Sequence, residues 1–295
     1  MPVFNGEKFL SEAIESILNQ TYKNFEFLIV YDESSDNTLS IIQNYRVQDP
    51  RIILIYGDNE GISGALNKGI QKANGDYIAR LDSDDLSLPG RFRTQIEYMR
   101  MHNLDICGGH SVLIDCDGKV NGIGMVPRSH DLCALSMLFM VPFAHSSVMI
   151  SKNFLIKNSL KYKGNNEDFD LWIRMYSKGA RFGNVDDIVI HYRVLEESLS
   201  TIHETGSRRD TRRVIKTFRQ RYGKYLSGVL GDINLSLLSE AEKSLVARYL
   251  INKALTKFDL FGLKKLKGIK LKIIIITGLS EIYRIMTKYA WWRIF

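Results

Sequence analysis

The first 85 residues alternate between segments typical of α-helices and segments typical of β-strands. The helical segments carry apolar residues at three- and four-residue spacing, and the strand segments are short apolar and β-branched runs. The helical segments are 8–20, 39–45 and 63–73, and the strand segments are 25–31, 51–56 and 77–81. Such alternation is the pattern of a parallel sheet covered by helices. The sequence therefore predicts an α/β fold.

The alternation continues less regularly to about residue 205. We expect a helix at Arg91–Met101, a strand at Asp105–Ile114, a strand-like run at Ala144–Ile150, a helix from Glu167 and a last strand at Ile188–Val194. Residues 118–142 give mixed signals and receive no assignment. The chain then turns mostly helical, with a capping box formed by Ser239 and Glu242. We predict one domain at 1–205 and a helical C-terminal region at 206–295.

The composition is that of a globular protein in a reducing compartment. A chain of 295 residues with 45% hydrophobic residues can bury a full core. Its three cysteines, Cys107, Cys116 and Cys133, form no Cys-x-x-Cys pair, which argues against a structural disulfide or zinc site. The sequence contains no run of about 18 apolar residues, so no spanning helix is predicted. These properties predict a cytoplasmic location.

The positive charge is concentrated near the C-terminus. The net charge is +7, yet the first 250 residues hold 30 basic and 31 acidic residues, and 251–295 hold ten basic residues against two acidic ones. A nearly neutral main domain disfavours nucleic-acid binding. Only the cluster of basic residues at 208–224 favours it. From Leu263 onward, lysines alternate with Leu and Ile ahead of Trp291 and Trp292. This pattern is typical of an in-plane membrane anchor, and a helical cap on the main domain is the alternative.

Three carboxylates follow directly after the strand at 77–81. They are Asp82, Asp84 and Asp85. In open α/β sheets, ligands bind beyond the carboxyl ends of strands, and clustered carboxylates are stabilised by a divalent cation such as Mg²⁺ or Mn²⁺. A solvated acidic turn closed by Pro89 is the alternative. A calcium-binding loop is excluded, because Leu86 and Ser87 occupy the positions where such a loop needs an oxygen ligand and a glycine.

Acidic residues also occur at two other predicted element ends. Asp32 ends the strand at 25–31, where it can accept a hydrogen bond from a ligand's base or ribose; Asp36 or Ser35 can cap the next helix. Glu167 and Asp168 begin a helix, where the helix dipole alone would also favour them.

These segments together resemble family 2 glycosyltransferases, which are inverting enzymes of the GT-A fold. The matching stretches follow the family's order within about residues 1–200. They are 1–6, 16–22, 27–32, 61–67, 75–85, 145–149 and 167–172. The implied architecture is a GT-A (Rossmann-like), mostly parallel central sheet flanked by helices, with a helical C-terminal extension.

The resemblance implies a role for each site residue. Asp32 would meet the nucleotide base, with Pro2 and Phe4 near the same pocket, and Asp84 with Asp82 would hold Mn²⁺ or Mg²⁺ on the diphosphate. Asp168 would be the general base. The remaining implied roles are donor binding by Asn67, Arg80 and Asp82, and acceptor or sugar binding by Glu167, His145 and Trp172. For His145, a satisfied core histidine is the alternative.

The chain departs from the family pattern at three places. Tyr31 and Glu33 stand where the family usually has Asp and Gly, and Leu195 stands where a metal-proximal His is common, with His191 nearby. Family members also carry apolar residues before the Met-Pro pair that form a central first strand. Their absence predicts a misplaced start or a truncated chain, with an exposed sheet edge.

The implied function is transfer of a sugar from a nucleotide-diphosphate donor, a UDP-sugar, to a lipid-linked or saccharide acceptor. The sugar would be a hexose or an N-acetylhexosamine, and the setting surface polysaccharide (O-antigen or capsule) biosynthesis. The basic tail predicts a peripheral position on the inner face of the cell membrane. The alternative is a non-catalytic nucleotide-sugar-binding scaffold at the membrane.

Overall fold

The computed structural model describes residues 1–138, 140–164, 166–195, 215–222, 226, 237–240, 242–247 and 250. The chain divides into two units, Met1–Gln220 and Arg221–Phe295. All strands and helices named below belong to the first unit. The division predicted at 205/206 falls among residues outside the described ones and stays a prediction, as does the structure of the basic tail.

Nine strands and seven α-helices of the first unit position the candidate site. The strands are β1 (Pro2–Val3), β2 (Phe27–Tyr31), β3 (Ile52–Tyr56), β4 (Tyr77–Ala79), β5 (Leu86–Ser87), β6 (Ile106–Ile114), β7 (Val120–Gly124), β8 (Met149–Ser151) and β9 (Phe182–Arg193). The helices are α1 (Leu10–Leu18), α2 (Thr38–Gln48), α3 (Gly61–Lys72), α4 (Arg91–His102), α5 (His130–Ser136), α6 (Lys152–Lys157) and α7 (Glu167–Ser177).

The strands form two sheets. The first sheet, in the order β1-β2-β3, is fully parallel, as the strand and helix alternation predicted. The second sheet has the order β4-β8-β6-β9-β5, with β7 paired to β6, and within it only β6 and β9 run parallel. The second sheet thus differs from the parallel pattern that the sequence predicted. The hairpin from β6 to β7 explains part of this difference, because a short turn joins antiparallel strands, whereas parallel strands need a crossover connection.

One hydrophobic core extends across both sheets. Ile29 in β2, Met149 in β8 and Ile190 in β9 belong to a single buried cluster, which α1 and α4 cover with Ile14 and Met99. Burying each such side chain contributes about 1.5–3 kcal/mol. The core thereby fixes the ends of strands from both sheets, and these ends carry the candidate site.

The five helices predicted between residue 8 and the helix from Glu167 are present, whereas most of the predicted helical C-terminal region lies outside the described residues. Two strand predictions need correction. Ala144–Ile150 is not one strand, because His145–Ser147 forms a short 3₁₀ helix before β8. The Ser147 hydroxyl donates to the carbonyl of Ala144 (2.7 Å), a local bond that competes with strand pairing. The last strand begins at Phe182 rather than Ile188, because Gly183 and Asn184 also pair with β6.

Two further observations bear on the sequence predictions. The capping box is confirmed, since the Ser239 backbone N–H donates to Glu242 Oε2 (2.9 Å) and the Glu242 N–H donates to Ser239 Oγ (3.3 Å). Among the described residues, no helix combines the length and the apolar character that crossing a bilayer requires.

Candidate active site

Arg80 is the buried cation at the centre of the site. It follows β4, its side chain is 4% exposed, and its guanidinium pairs with both carboxylate oxygens of Asp82. It also donates to the hydroxyl of Ser146 (2.8 Å), which in turn donates to Asp82 Oδ2 (3.0 Å). Asp82 is therefore held in place by two side chains, one of which carries a compensating charge.

Asp82, Asp84 and Asp85 lie together, with one carboxylate oxygen from each within 4.8 Å of the others. Burial, followed by the charge of Asp82, raises the pKa of Asp84 to about 6. Burial and the charges of Asp82 and Asp84 raise the pKa of Asp85 to about 8. Asp85 Oδ2 is buried and has no hydrogen-bond partner among the described residues. This donor set, with its unpaired buried oxygen, fits a divalent cation.

Asp32 lies at the end of β2 and is nearly buried. Its Oδ1 accepts a hydrogen bond from the backbone N–H of Asn59 (3.2 Å), which ties the ends of two neighbouring strands together. Gly57 lies so close that a Cβ there would be 1.8 Å from Asp32 Oδ1. Asn59 and Gly57 were not predicted as site residues, although a glycine directly after β3 could have indicated a close approach of the backbone.

The loops after β1 and β2 are cross-linked beside Asp32. The Asn5 backbone N–H donates to Ser34 Oγ (3.0 Å), and Asn5 Oδ1 accepts from the Ser35 N–H (2.9 Å). Tyr31 accepts from the Ser34 N–H through its phenol oxygen (3.0 Å). In this region Pro2 is partly buried and Phe4 is 63% exposed. An exposed aromatic ring here is available for stacking on a base.

Glu167 and Asp168 open α7 as predicted. Burial and then the charge of Asp168 raise the pKa of Glu167 to about 7, and burial also raises the pKa of Asp168. Asp168 Oδ1 accepts from the N–H of Phe169 (2.6 Å). His145 Nδ1 lies 3.7 Å from Glu167 Oε1, and the next residue, Ser146, donates to Asp82 Oδ2 (3.0 Å), so α7 begins near the acidic cluster.

His145 connects Glu167 to the loop before α7. Its Nδ1 lies 3.7 Å from Glu167 Oε1, and its Nε2 lies 3.1 Å from the Tyr162 hydroxyl. Burial lowers the pKa of His145 well below its ordinary value, so the ring is neutral at physiological pH. Sequence reasoning missed Tyr162, a single aromatic residue in a polar loop.

Two predicted site residues contact Tyr162. Trp172 is fully buried against Phe143, His145 and Tyr162, and its indole N–H has no partner among the described residues. Asn67 in α3 accepts from the Tyr162 N–H (2.8 Å) and donates to the Tyr162 carbonyl (3.0 Å). Its amide thus holds the loop, while its role in donor binding, like the acceptor role of Trp172, stays a prediction.

Arg193 is the main residue that sequence reasoning left without a role. It ends β9, is buried, and its backbone N–H donates to Asp85 Oδ1 (2.7 Å). His191 lies two residues earlier, paired in register with Leu86, and Leu195 is the last residue described before 215.

An α/β fold with acids gathered at strand ends places these acids where enzymes of this fold bind their ligands. The sequence profile of "Glycosyl transferase family 2" matches residues 1–168, and the chain belongs to this family. The resemblance seen in the sequence is thereby confirmed.

Curated relatives agree with this assignment. The chain is 34% identical over 204 residues to "Putative glycosyltransferase EpsE" of Bacillus subtilis, a match that spans 67% of this chain and 72% of that protein. It is 32% identical over 198 residues to "UDP-Glc:alpha-D-GlcNAc-diphosphoundecaprenol beta-1,3-glucosyltransferase WfaP" of Escherichia coli, spanning 67% and 76% of the two chains.

Solved structures share the GT-A fold at low sequence identity. S. aureus TarS 1-349 in complex with UDP-GlcNAc superimposes with a TM-score of 0.59 at 18% identity, covering 96% of this chain and 79% of that one. The mannosyltransferase PcManGT from Pyrobaculum calidifontis, in complex with GDP-Man and Mn²⁺, gives 0.59 at 14% identity, covering 98% and 86%. At such identities the likeness establishes the fold alone.

Proposed function

We propose that this protein transfers a sugar from a UDP-sugar to a lipid-linked acceptor, with inversion at the anomeric carbon, in surface polysaccharide biosynthesis. The observation that carries the proposal is the proximity of two acidic groups: Ser146 bonds Arg80 and Asp82, and its neighbour His145 lies 3.7 Å from Glu167. The cluster at Asp82–Asp85 suits the donor's diphosphate, and the pair Glu167 and Asp168 suits the acceptor's hydroxyl.

The donor would lie across the ends of β1, β2 and β4. Asp32 would accept a hydrogen bond from the base while Phe4 stacks on it, and Asp82 would approach the ribose and diphosphate. Asp84, with Asp82 as the sequence predicts and Asp85 through its unpaired oxygen, would hold Mn²⁺ or Mg²⁺. When bound, such a cation offsets the negative charge that develops on the departing diphosphate.

In the transfer step, Asp168 is the base that takes the proton of the acceptor hydroxyl. The acceptor hydroxyl gives its proton to the Asp168 carboxylate as its oxygen bonds to the anomeric carbon. The bond from that carbon to the donor phosphate breaks with its electron pair, and the nucleoside diphosphate leaves on the opposite face. Backside displacement in one step gives inversion.

The lipid-linked acceptor is inferred from a relative and from charge. WfaP is named for a diphosphoundecaprenol acceptor. In this chain Lys161 and Lys163 are exposed on either side of Tyr162, in the loop that leads to Glu167. They suit an anionic phosphate linkage, and the basic tail suits a peripheral position on the inner face of the cell membrane.

The first test is calorimetric binding of UDP with and without Mn²⁺, followed by transfer assays with a panel of UDP-sugars and diphosphate-lipid acceptors. We expect Mn²⁺-dependent UDP binding that Asp84→Asn weakens at least ~10-fold. Asp168→Asn should keep donor binding and lose at least ~100-fold in transfer rate. Transfer unchanged in Asp168→Asn would refute its role as base. Binding without any transfer by the parent protein would support the scaffold alternative.

A further inference from the structure

We propose that Arg193 is a positioning residue that presents the Asp84–Asp85 turn to the divalent cation. This inference rests on the proposed function, because it concerns the same donor site. No role followed for Arg193 from the sequence. The contacts of its backbone and its guanidinium carry the inference.

Arg193 holds both residues of the turn. Its backbone N–H donates to Asp85 Oδ1 (2.7 Å), and its Nε donates to the backbone carbonyl of Asp84 (2.9 Å). The first bond orients the Asp85 carboxylate, leaving the other oxygen, Oδ2, without a partner among the described residues. The second bond fixes the peptide plane between the two acids, and with it the direction in which each carboxylate projects.

The rest of the guanidinium is anchored on two other elements. Nη1 donates to the carbonyls of Asp115 (3.1 Å) and Cys116 (3.2 Å), just beyond β6. Nη2 donates to Glu12 Oε2 (2.9 Å) in α1, and the guanidinium carbon lies 4.2 Å from the centroid of the Phe9 ring. Because all three nitrogens of the planar Arg193 guanidinium are hydrogen-bonded, the positions of β6 and α1 determine where the acidic turn lies.

The contacts of the Arg193 side chain can therefore be removed without removing the backbone contact of β9. A substitution at position 193 keeps the backbone bond to Asp85 and removes the bond to the Asp84 carbonyl together with the two anchors. Lysine keeps the positive charge but cannot reproduce the fork. The expected defect of Arg193→Lys is therefore a misplaced pair of ligands in a folded protein, at unchanged net charge.

Arg51 offers a matched control. It also pairs with a carboxylate (Asp49, 2.6 Å), donates to a backbone carbonyl (Leu18, 3.3 Å) and lies 4.5 Å from an aromatic ring centroid (Phe25). It is not among the contacts of the acidic turn. Arg51→Lys therefore removes the same kinds of contact without touching the proposed cation site.

The experiment measures Mn²⁺ binding by electron paramagnetic resonance, in the presence of UDP, and metal-free UDP binding by calorimetry. We expect Arg193→Lys to weaken Mn²⁺ at least ~10-fold, as loss of an outer-shell partner does, while metal-free UDP affinity stays within about 2-fold. Arg51→Lys should leave both affinities within about 2-fold of the parent. Circular dichroism verifies that each variant is folded.

Glu12→Gln tests the outer anchor alone. Glu12 is 60% exposed, so this variant should fold normally and weaken Mn²⁺ by only about 2- to 3-fold, less than the loss of the whole guanidinium. Parental Mn²⁺ affinity in folded Arg193→Lys would overturn the inference while leaving the proposed function intact. Equal loss of Mn²⁺ and metal-free UDP binding would also overturn it, because the role would then be general. A parent protein that binds no Mn²⁺ would overturn the metal step and the role of Arg193 together.

Discussion

The Asp32 carboxylate can occupy its position only because residue 57 is a glycine and has no side chain. A methyl group there would lie 1.8 Å from Asp32 Oδ1 and 3.2 Å from the Tyr31 carbonyl, so it must displace the carboxylate. We expect Gly57→Ala to break the bond from Asn59 to Asp32, weaken UDP binding about 10-fold, and lower the free energy of unfolding by roughly 1–3 kcal/mol. Calorimetry and urea denaturation measure the two effects.

Gly122→Ala in β7 is the control for this change. A Cβ at position 122 would meet only Leu113 Cδ1, at 3.8 Å, which is ordinary contact. If Gly57→Ala binds UDP as tightly as Gly122→Ala does, Asp32 does not contact the nucleotide in the way proposed.

Glu167 should make the stability of the protein depend on pH. Burial and the charge of Asp168 raise its pKa from 4.5 to about 7, so between these values the folded protein keeps a proton that the unfolded chain loses. The stabilisation is complete below pH 4.5 and is lost as the pH rises through about 7. We expect Glu167→Gln to flatten the fall in unfolding free energy over this window, by roughly 3 kcal/mol in total.

Urea denaturation at several pH values between 5 and 7.5 measures this slope. Met175→Leu is a control on the same helix, because it replaces a buried apolar side chain by one of similar volume and changes no charge. Parallel stability curves for Glu167→Gln and the parent would show that Glu167 is not a buried acid in solution.

At the scale of elements, α3 determines where α7 begins. Asn67 makes two hydrogen bonds to the backbone of Tyr162, and the loop from there leads directly into Glu167 and Asp168. Asn67→Ala leaves both backbone groups unpaired. We expect a loss of about 2 kcal/mol in unfolding free energy and about a 10-fold loss in transfer rate, with UDP affinity nearly unchanged.

The control for Asn67→Ala is Ser63→Ala, which removes one exposed bond from the same helix to the Gly164 carbonyl (3.1 Å). It should cost less than about 0.5 kcal/mol. The opposite pattern for Asn67→Ala, with UDP affinity lost and rate kept, would favour the donor-binding role that the sequence predicted for Asn67.

At the scale of the whole molecule, the basic tail is proposed to hold the enzyme at an anionic membrane. Residues 251–295 hold ten basic residues against Asp259 and Glu281, a net charge of +8, and about 1 kcal/mol per Lys or Arg near an anionic surface is available for binding. Removing the chain from Leu263 onward should abolish sedimentation with anionic vesicles and leave UDP binding unchanged. Neutral vesicles serve as the control, and equal binding of the two proteins to anionic vesicles would refute the anchor.

The sequence by itself predicted many of the helices and strands and the positions of the acids, but not β5, β7, α5 or α6. Apolar spacing predicted helices such as α1 and α4, and strand composition predicted β2, β3 and β6, because both depend on neighbours along the chain. The position of Asp32, Asp82, Asp84 and Asp85 just beyond strand ends also followed, since the carboxyl end of a strand can be read locally. The family was identified from the same stretches.

Only the tertiary structure decided which side chains meet. The pairing of Arg193 with the Asp84–Asp85 turn joins residues 109 and 108 positions apart, and the clamp of Asn67 on Tyr162 spans 95. The burial that raises the pKa of Glu167, and that encloses Trp172, likewise comes from the packing of distant elements. Such contacts carry no local signal, because their free energy arises only after the two sheets have packed on one core.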